Sequence, residues 1–168
     1  MGRLRSGIGY DAHRLASGRR LVLGGVEIEG VDRGLEGHSD ADVLTHAVID
    51  ALLGAAALAD IGAHFPDTDE RYRDADSIEL LRATLERVRD AGFRPVNVDA
   101  TVICEAPRLG PYRERMRQRL ATTLGLAERA VNVKFTRGER MGFVGRGEGI
   151  AALAIATLEE GGDGHGTS

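Results

Sequence analysis

The sequence predicts an α+β fold in which helices pack on one face of a mixed β-sheet. Extended segments with alternating or apolar patterns recur along the chain, and three other segments repeat apolar residues at helical spacing. Hydrophobic residues make up 42% of the 168 residues and aromatic residues only 4%, which indicates a core of small aliphatic side chains. We expect one domain over residues 1–160 and a disordered, glycine-rich tail over residues 161–168.

The extended segments open the chain and recur between the helices. Strands are predicted, in chain order, over residues 3–11, 21–23, 26–29, 96–105, 131–136 and 150–158. In the strand over residues 96–105, regular alternation places five side chains on one face: Val96, Val98, Ala100, Val102 and Cys104.

Helices and loops complete the prediction. Helices are predicted over residues 40–58, 77–91 and 111–124, and loops over residues 60–76 and 138–149. Ser39 stands where the N-cap of the first helix belongs, and Asp42 three residues later completes a capping-box pattern. The second helix begins at a cap formed by Asp76 or Ser77 and ends at Gly92.

Composition excludes several classes of protein. The formal net charge of −4 argues against a general nucleic-acid binder, whose phosphate contacts need a basic face. The single cysteine, Cys104, precludes an intrachain disulfide and favours a reducing compartment. The sequence contains neither an apolar run long enough to span a membrane nor the apolar core of a signal peptide. We therefore expect a cytoplasmic protein with no membrane or nucleic-acid partner.

Two short patterns combine into a candidate metal site. In Asp11-Ala12-His13, residues two apart on a strand point to the same face, so a carboxylate and an imidazole can converge on one ion. His46 lies inside the first predicted helix, on a stripe with Asp42 and Asp50 at spacing four. Two histidines and one carboxylate form a catalytic zinc set with an open fourth position. The alternatives are an exposed strand end and a solvated, capped helix face.

Further segments carry groups suited to phosphate or to a cation. His38 precedes the first helix, so it and the helix amides can face an anion. The acidic segment over residues 60–69 fits a surface loop or a calcium site, although it lacks the EF-hand spacing. Arginines beside glycines over residues 134–139 and 145–149 suit phosphate, because glycine lets backbone amides approach an anion, but such runs also occur in plain turns. The sequence contains no Walker A loop, dinucleotide fingerprint or Gly-x-Ser-x-Gly nucleophile elbow.

Taken together and in order, these motifs resemble the 2-C-methyl-D-erythritol 2,4-cyclodiphosphate synthase family of the non-mevalonate isoprenoid pathway. The matching stretches are Ile8-Gly9-Tyr10-Asp11-Ala12-His13, Leu23-Gly24-Gly25-Val26, His38-Ser39-Asp40-Ala41-Asp42, Asp50-Ala51-Leu52-Leu53-Gly54-Ala55, Asp60-Ile61-Gly62, Phe65-Pro66-Asp67-Thr68-Asp69, Asn97-Val98-Asp99-Ala100-Thr101-Val102-Ile103 and Gly142-Phe143-Val144-Gly145-Arg146-Gly147-Glu148-Gly149. No single stretch is specific for this family, but the occurrence of all of them in this order over residues 8–149 is specific for it.

The resemblance implies a homotrimer with the free sheet face toward the trimer centre and active sites between neighbouring subunits. It implies a zinc ion, or a similar divalent metal, on Asp11, His13 and His46 of each subunit, and a magnesium or manganese ion at Glu139. It also implies these substrate-binding positions: Asp11, Ala12, His13, His38, Ser39, Asp60, Ile61, Gly62, Phe65, Pro66, Asp67, Thr68, Asp69, Cys104, Glu105, Ala106, Pro107, Arg108, Leu109, Gly110, Thr136, Arg137, Gly138, Glu139, Phe143 and Arg146. Within this set, the resemblance implies that the segments 104–110 and 136–139 of a neighbouring subunit bind the nucleotide.

The reaction that the resemblance implies converts 4-diphosphocytidyl-2-C-methyl-D-erythritol 2-phosphate to 2-C-methyl-D-erythritol 2,4-cyclodiphosphate and CMP. The 2-phosphate of the substrate attacks its own β-phosphorus, and a phosphate monoester is largely dianionic near neutral pH, so no protein nucleophile is needed. His38 is expected to hydrogen-bond the phosphate region as the catalytic residue. Two alternatives stay open: a metal-dependent phosphohydrolase that uses the same Asp-His-His set, and a non-catalytic protein descended from the family.

One segment departs from the family pattern. The family has two or three threonines after the strand that contains Lys134, whereas this chain has Thr136 followed by Arg137 and Gly138. Phe135 also replaces a small residue. We expect Thr136 and the backbone to keep the nucleotide, with Arg137 either in contact with the diphosphate or directed to solvent.

Overall fold

The computed structural model of the protein describes residues 2–161, so the predicted tail lies outside the described residues except for Gly161. The strands are β1 (Leu4–Ser17), β2 (Val22–Leu23), β3 (Val26–Glu27), β4 (Arg33–Leu35), β5 (Phe93–Ile103), β6 (Val131–Thr136) and β7 (Gly149–Glu160). The α-helices are α1 (Val43–Ala56), α2 (Ile61–His64), α3 (Ser77–Asp90), α4 (Arg113–Leu124) and α5 (Gly142–Gly145). Short 3-10 helices cover Glu70–Tyr72, Gly110–Tyr112 and Glu128–Ala130.

Five strands form one mixed sheet in the order β4-β1-β7-β5-β6. Strands β5 and β6 pair in parallel, and the other neighbours pair antiparallel. The remaining two strands, β2 and β3, form a hairpin whose two turn residues, Gly24 and Gly25, both have positive φ. Such a turn favours glycine at both central positions because a Cβ would be strained there. The predicted α+β class with a mixed sheet is therefore confirmed.

Helix α1 lies unusually close to β1 because two glycines of the strand face it. A Cβ at Gly7 would overlap the backbone of Ala51, and one at Gly9 would overlap the carbonyl oxygen of Ala47. Since residues two apart on a strand share a face, Asp11 follows Gly7 and Gly9 on the side toward the helix. This close approach brings the middle of α1 within reach of the Asp11 side chain on β1.

The opposite face of the sheet is apolar and exposed along β1 and β7, whereas β5 and β6 present polar and charged side chains on it. Ile8 pairs across the strands with Ile155, and Tyr10 pairs with Leu153. These four side chains are 69%, 50%, 52% and 38% exposed, in that order. A contiguous apolar patch of this kind on a folded domain marks an interaction surface.

The first helix begins later than predicted. It starts at Val43, and its N-cap is Asp42, whose side chain accepts from the backbone N–H of Thr45. Ala41 has a φ of +54°, which is outside the helical region, so the helix cannot extend back to Asp40. The predicted capping box from Ser39 to Asp42 is therefore wrong, because Asp42 is itself the cap.

Other boundaries differ where pairing partners or local turns decide them. Strand β1 continues to Ser17 because it pairs with β7 and then with β4. A bulge between Pro95 and Asn97 turns Val96 away from the buried face of β5, so its predicted place beside Val98 is wrong. The predicted loops contain the short helices α2 and α5.

Candidate active site

Strand β1 and helix α1 bring together the three residues that the sequence predicts as metal ligands. Asp11 Oδ2 lies 3.0 Å from His13 Nε2 and 3.0 Å from His46 Nδ1. One ligand atom from each residue lies within 4.8 Å of the other two. Two imidazole nitrogens and one carboxylate oxygen that converge in this way fit a divalent cation with an open coordination position. The grouping of the strand Asp-x-His with the helix histidine is confirmed, and the alternative of an exposed strand end is excluded because β1 continues to Ser17.

Burial and mutual contact set the charges in this cluster. Burial raises the pKa of Asp11, but hydrogen bonds and charges from His13 and His46 outweigh it and hold that pKa well below its usual range. Burial lowers the pKa of His13, but the neighbouring Asp11 carboxylate raises that pKa overall. Asp11 is therefore ionised at neutral pH and supplies the negative charge that a cation needs.

Each histidine uses its other ring nitrogen on a second partner. His13 Nδ1 donates to the carbonyl oxygen of Glu36 over 2.8 Å. His46 Nε2 lies 2.7 Å from the hydroxyl of Ser77, the first residue of α3. No motif indicates Glu36 or Ser77 as part of the site, since one contributes only its backbone and the other was predicted only as one of two candidate helix caps. Of those two candidates, Asp76 is the cap of α3, and its side chain accepts from the backbone N–H of Ile78.

His38 lies at the mouth of the metal cluster. Its Nε2 donates to the backbone carbonyl of Asp69 over 3.0 Å. The carbonyl contact therefore involves Nε2 and not the other ring nitrogen, Nδ1. The N-terminus of α1 is closed by the fully buried Asp42, which also accepts from the backbone N–H groups of Gly24 and Gly25. The first-turn amide of Thr45 is therefore directed to a carboxylate of the chain itself. The sequence had suggested that the helix amides face an external anion.

The metal cluster opens into a cavity of about 400 Å³. The cavity is lined by Asp11, His13, Gly37, His38, Ser39, His46, Ile61, Gly62, Phe65, Pro66, Asp67, Tyr72 and Leu80. Of the substrate-binding positions predicted in the acidic segment, three lie outside this lining: Asp60, Thr68 and Asp69. Asp60 caps α2 through the N–H of Ala63, and Asp69 binds the guanidinium of Arg71.

A second cavity of about 700 Å³ lies where β5 and β6 end. Most positions of the two predicted nucleotide segments line it, together with Phe135 and residues at the start of α4. The full lining is Cys104, Glu105, Ala106, Pro107, Arg108, Leu109, Gly110, Pro111, Arg113, Phe135, Thr136 and Arg137. Gly138 and Glu139 follow directly but lie outside the lining, and Glu139 has a φ of +51°. The two segments that the sequence assigned to one nucleotide site therefore do share one cavity.

The altered segment after β6 is tied to the end of β5. Glu105 accepts from the Arg137 guanidinium at 3.0 Å and from the backbone N–H of Gly138 at 2.9 Å. Burial raises the pKa of Glu105, but these two contacts outweigh it and lower that pKa overall. Arg137 thus pairs with a carboxylate of its own chain. The two positions predicted from the sequence, contact with the diphosphate and direction to solvent, did not include this ion pair.

Three further predicted positions, Ala12, Phe143 and Arg146, line neither of the two larger cavities. Ala12 and Phe143 line a small cavity of about 260 Å³ beside Tyr10 and His13. Arg146 donates to Glu148 at 2.8 Å and lines neither of the two larger cavities. Among residues 2–161, Glu139 belongs to no cluster of ligand-type side chains, so the second metal ion stays a prediction.

Comparison with known proteins identifies the family. A sequence model of the YgbB family matches residues 4–159. The chain belongs to the YgbB family. A 2-C-methyl-D-erythritol 2,4-cyclodiphosphate synthase of Laribacter hongkongensis is 62% identical over 156 residues, 93% of this chain and 96% of the relative. A synthase of the same name from Salinibacter ruber is 59% identical over 93% of this chain and 99% of the relative.

Solved structures of YgbB relatives share the fold. The bifunctional IspDF of Campylobacter jejuni superposes with a TM-score of 0.91 at 42% identity, covering 95% of this chain. The chain spans 43% of the length of that bifunctional protein. The CDP complex of Plasmodium falciparum IspF superposes with a TM-score of 0.83 at 28% identity, covering 96% of this chain and 99% of that one. The family predicted from the sequence motifs is confirmed.

Proposed function

We infer that this protein converts 4-diphosphocytidyl-2-C-methyl-D-erythritol 2-phosphate to 2-C-methyl-D-erythritol 2,4-cyclodiphosphate and CMP. The observation that carries the inference is the convergence of Asp11, His13 and His46 at a cavity in a chain 62% identical to a synthase of that name. A non-mevalonate isoprenoid enzyme of this kind is a CMP-forming lyase. Within residues 2–161, no helix combines the length and apolar character that a membrane crossing requires.

The metal cluster would act on the attacking phosphate. Asp11, His13 and His46 would hold one zinc ion, which when bound orients phosphate oxygens and neutralises their charge. Asp11 is kept ionised by its two histidine neighbours, and Glu36 orients the His13 ring through its carbonyl. These contacts fix the ligand set before substrate arrives, so little reorganisation accompanies binding.

Substrate folding is the main task left to the protein. The attacking group is a phosphate of the substrate itself, so the residues need only align it with the β-phosphorus, and such alignment can supply roughly 7–11 kcal/mol in good cases. His38 and Ser39 line the metal cavity and would hydrogen-bond the phosphate region. Ile61, Gly62 and the 65–69 segment would hold the erythritol part, with Asp60 and Asp69 shaping that wall through their caps.

The nucleotide would occupy the larger cavity at the ends of β5 and β6. The CDP complex of the Plasmodium relative supports a cytidine nucleotide as the ligand class. The Cys104–Gly110 segment and Thr136 supply the walls, and Glu139 would meet a second divalent ion on the diphosphate. That ion, magnesium or manganese, would stabilise the charge on the departing CMP.

A homotrimer would complete the site. The uncovered apolar face of the sheet, including the Ile8–Ile155 and Tyr10–Leu153 pairs, supports burial between subunits. Among residues 2–161 the metal cavity and the nucleotide cavity share no lining residue, which fits a site assembled from two chains. We place the assembled enzyme, a single domain of residues 1–160 per subunit, in the cytoplasm.

Turnover with phosphorus NMR detection tests this function. The purified protein is incubated with the diphosphocytidyl substrate, zinc and magnesium, and the products are compared with those of a chelator-treated sample. We expect CMP and the cyclic diphosphate in equal amounts, and no turnover after metal removal. His46→Ala should lose zinc and activity while keeping its circular dichroism spectrum.

Other outcomes would replace the proposal with a specific alternative. Inorganic phosphate in place of the cyclic product would make the protein a metal-dependent phosphohydrolase. A folded, zinc-loaded protein that binds CDP without turnover would make it a non-catalytic member of the family. Full zinc occupancy in His46→Ala would remove His46 from the ligand set.

A further inference from the structure

We propose that Ser77 and Asp40 are positioning residues that fix which nitrogen of His46 faces the metal. The proposal rests on the metal-dependent function above and extends it to residues outside the ligand set. Within the described part of the chain, neither side chain forms a hydrogen bond with Asp11 or His13. Their hydrogen-bonded link to the ligand set is through the far side of the His46 ring.

The hydrogen bonds allow one direction for the protons. The hydroxyl of Ser77 donates to Asp40 Oδ1, and the backbone N–H of Ser77 donates to Asp40 Oδ2 over 3.0 Å. A serine has a single hydroxyl proton, so the Ser77 oxygen can only accept in its 2.7 Å contact with His46 Nε2. Nε2 must therefore carry a proton. Nδ1, which lies 3.0 Å from Asp11 Oδ2 and hydrogen-bonds to it in the metal-free protein, is then the nitrogen that would release its proton and offer its lone pair to a metal.

The acceptor end of this chain is itself fixed. Asp40 Oδ1 also accepts from the backbone N–H of Asp42 over 3.2 Å, so both of its oxygens are held by groups at the start of α1 and α3. Ser77 is fully buried and His46 is only 8% exposed, so water does not offer a replacement acceptor. Ser39 Oγ lies farther from Nε2, at 3.3 Å, and already accepts from the backbone N–H of Ala41.

A fixed tautomer matters because only the unprotonated nitrogen binds a metal. Partners on the far nitrogen of a metal-bound histidine orient the ring and raise its basicity, and their loss typically costs 10–100-fold in metal affinity. Without the Ser77 oxygen, the His46 ring could place its proton on either nitrogen or turn away from Asp11. We therefore expect Ser77 to control metal affinity and not the stability of α3 alone.

Metal affinity of Ser77→Ala is the central measurement. Zinc dissociation constants are obtained by competition with a chromophoric chelator, and cobalt is substituted to report ligand geometry from its visible spectrum. We expect Ser77→Ala to bind zinc about 10–100-fold more weakly than wild type. Ser77→Thr keeps the hydroxyl and should recover most of the lost affinity. Asp40→Asn keeps a neutral acceptor and should weaken zinc binding less than Ser77→Ala.

Thr84 provides the matched control on the same helix. It is also fully buried, but its hydroxyl donates to the carbonyl of Leu80 and does not touch His46. Thr84→Ala should lower stability without changing the zinc dissociation constant. If Ser77→Ala and Thr84→Ala have the same zinc affinity as wild type, the positioning role is overturned.

The design separates this proposal from the proposed function. Failure of the wild-type protein to bind zinc would overturn the metal-dependent function itself. Normal zinc binding by wild type and by a folded Ser77→Ala would overturn only the role of Ser77. If Ser77→Ala does not fold, Asp40→Asn provides the test. Unchanged zinc affinity and an unchanged cobalt spectrum in that variant would overturn the positioning role of Asp40 and Ser77.

Discussion

Glu105 holds Arg137 by a 3.0 Å ion pair and, through its other oxygen, the backbone N–H of Gly138. These contacts join the end of β5 to the segment that follows β6, the two walls of the proposed nucleotide cavity. Where the family has threonine hydroxyls, this chain thus has a charged pair anchored on a carboxylate. The arginine charge stays beside the cavity, but part of it is neutralised by Glu105.

Arg137→Ala should weaken CDP binding by about two- to fivefold, because an exposed ion pair contributes at most about 1 kcal/mol. The loss should be larger at low salt, since screening weakens the attraction between the guanidinium and the diphosphate. Glu105→Gln removes a negative charge near the diphosphate and should bind CDP at least as tightly as wild type. Titration calorimetry at two salt concentrations provides these affinities.

Arg82→Ala is the matched control for this prediction. Arg82 forms an exposed pair with Glu79 on α3 and lines neither large cavity, so its loss should leave CDP affinity unchanged at both salt concentrations. Identical affinities of wild type and Arg137→Ala at low salt would contradict the prediction and place Arg137 outside the site.

Sequence patterns predicted the metal cluster because its spacing is local. Asp11 and His13 follow the strand period, and His46 follows the helix period, so each side chain direction could be derived from its own element. Their convergence required the long-range approach of α1 to β1, which Gly7 and Gly9 permit. That approach was implied only by the family motifs.

Other parts of the site could not be predicted because distant partners decide them. Whether Ser77 acts as a cap or contacts His46 depends on where α3 lies beside α1. The side on which Val96 lies depends on a bulge set by pairing with β7. The position of Arg137 depends on Glu105, thirty-two residues away in sequence.

Asp11→Asn should destabilise the metal-free protein most between about pH 4 and pH 6.5. The pKa of Asp11 is lowered by folding, so its contribution is present above the ordinary value of 3.8 and is lost as pH falls toward the folded value. The pKa of His13 is raised, so its contribution is complete below the ordinary value of 6.5 and is lost as pH rises through the folded value. Both contributions coexist only in that window.

Urea unfolding in the presence of a chelator at pH 5 and pH 8 measures this difference. We expect the mutation to cost about 1.5–3 kcal/mol at pH 5, the range for a hydrogen bond to a charged group, and less at pH 8. Asp67 lines the same cavity, and the variant Asp67→Asn serves as the control. A larger cost at pH 8 than at pH 5 would refute the assigned charges.

Ile155→Lys should dissociate the proposed trimer. Ile155 is 50% exposed at the centre of the uncovered sheet face, where it pairs with Ile8. A lysine there would bring one charge per subunit into a buried, apolar interface, and an unpaired buried charge is strongly unfavourable. Sedimentation velocity at micromolar concentration should show trimers for wild type and monomers for the variant.

Glu86→Lys introduces the same side chain on the exposed face of α3 and should remain trimeric. Zinc binding should persist in monomeric Ile155→Lys, because Asp11, His13 and His46 belong to one chain. Catalytic activity should be lost if the nucleotide cavity is supplied by a neighbour. A monomeric wild type would contradict the assembly.

Cys104 should react slowly with thiol reagents in the native protein. Burial raises the pKa of its thiol to about 11, and the side chain is only 6% exposed where it lines the nucleotide cavity. At pH 8 the lowered thiolate fraction alone should slow the reaction by about 100-fold relative to an unperturbed cysteine. Stopped-flow rates for native and guanidinium-unfolded protein give the ratio, and equal rates would show an ionised or accessible thiol.

Gly9→Ala should destabilise the protein and weaken metal binding together. The added Cβ would overlap the carbonyl oxygen of Ala47, a backbone atom that cannot turn aside as a side chain can. Overpacking typically costs about 1–3 kcal/mol, and relief requires α1 to move away from β1. Because His46 is on α1 and Asp11 is on β1, that movement would lengthen the 3.0 Å separation of Nδ1 and Oδ2.

Gly54→Ala tests the same helix–strand contact without the overlap. A Cβ at Gly54 would lie 3.8 Å from the carbonyl oxygen of Ile8, an ordinary contact, and Gly54 is inside α1. Alanine in a helix interior is favoured over glycine by about 0.5–1 kcal/mol, so this variant should be as stable as wild type or more stable. Urea unfolding and zinc competition should therefore separate the two variants in both stability and metal affinity. Equal stability of Gly9→Ala and Gly54→Ala would mean that the close approach of α1 to β1 does not depend on a glycine at position 9.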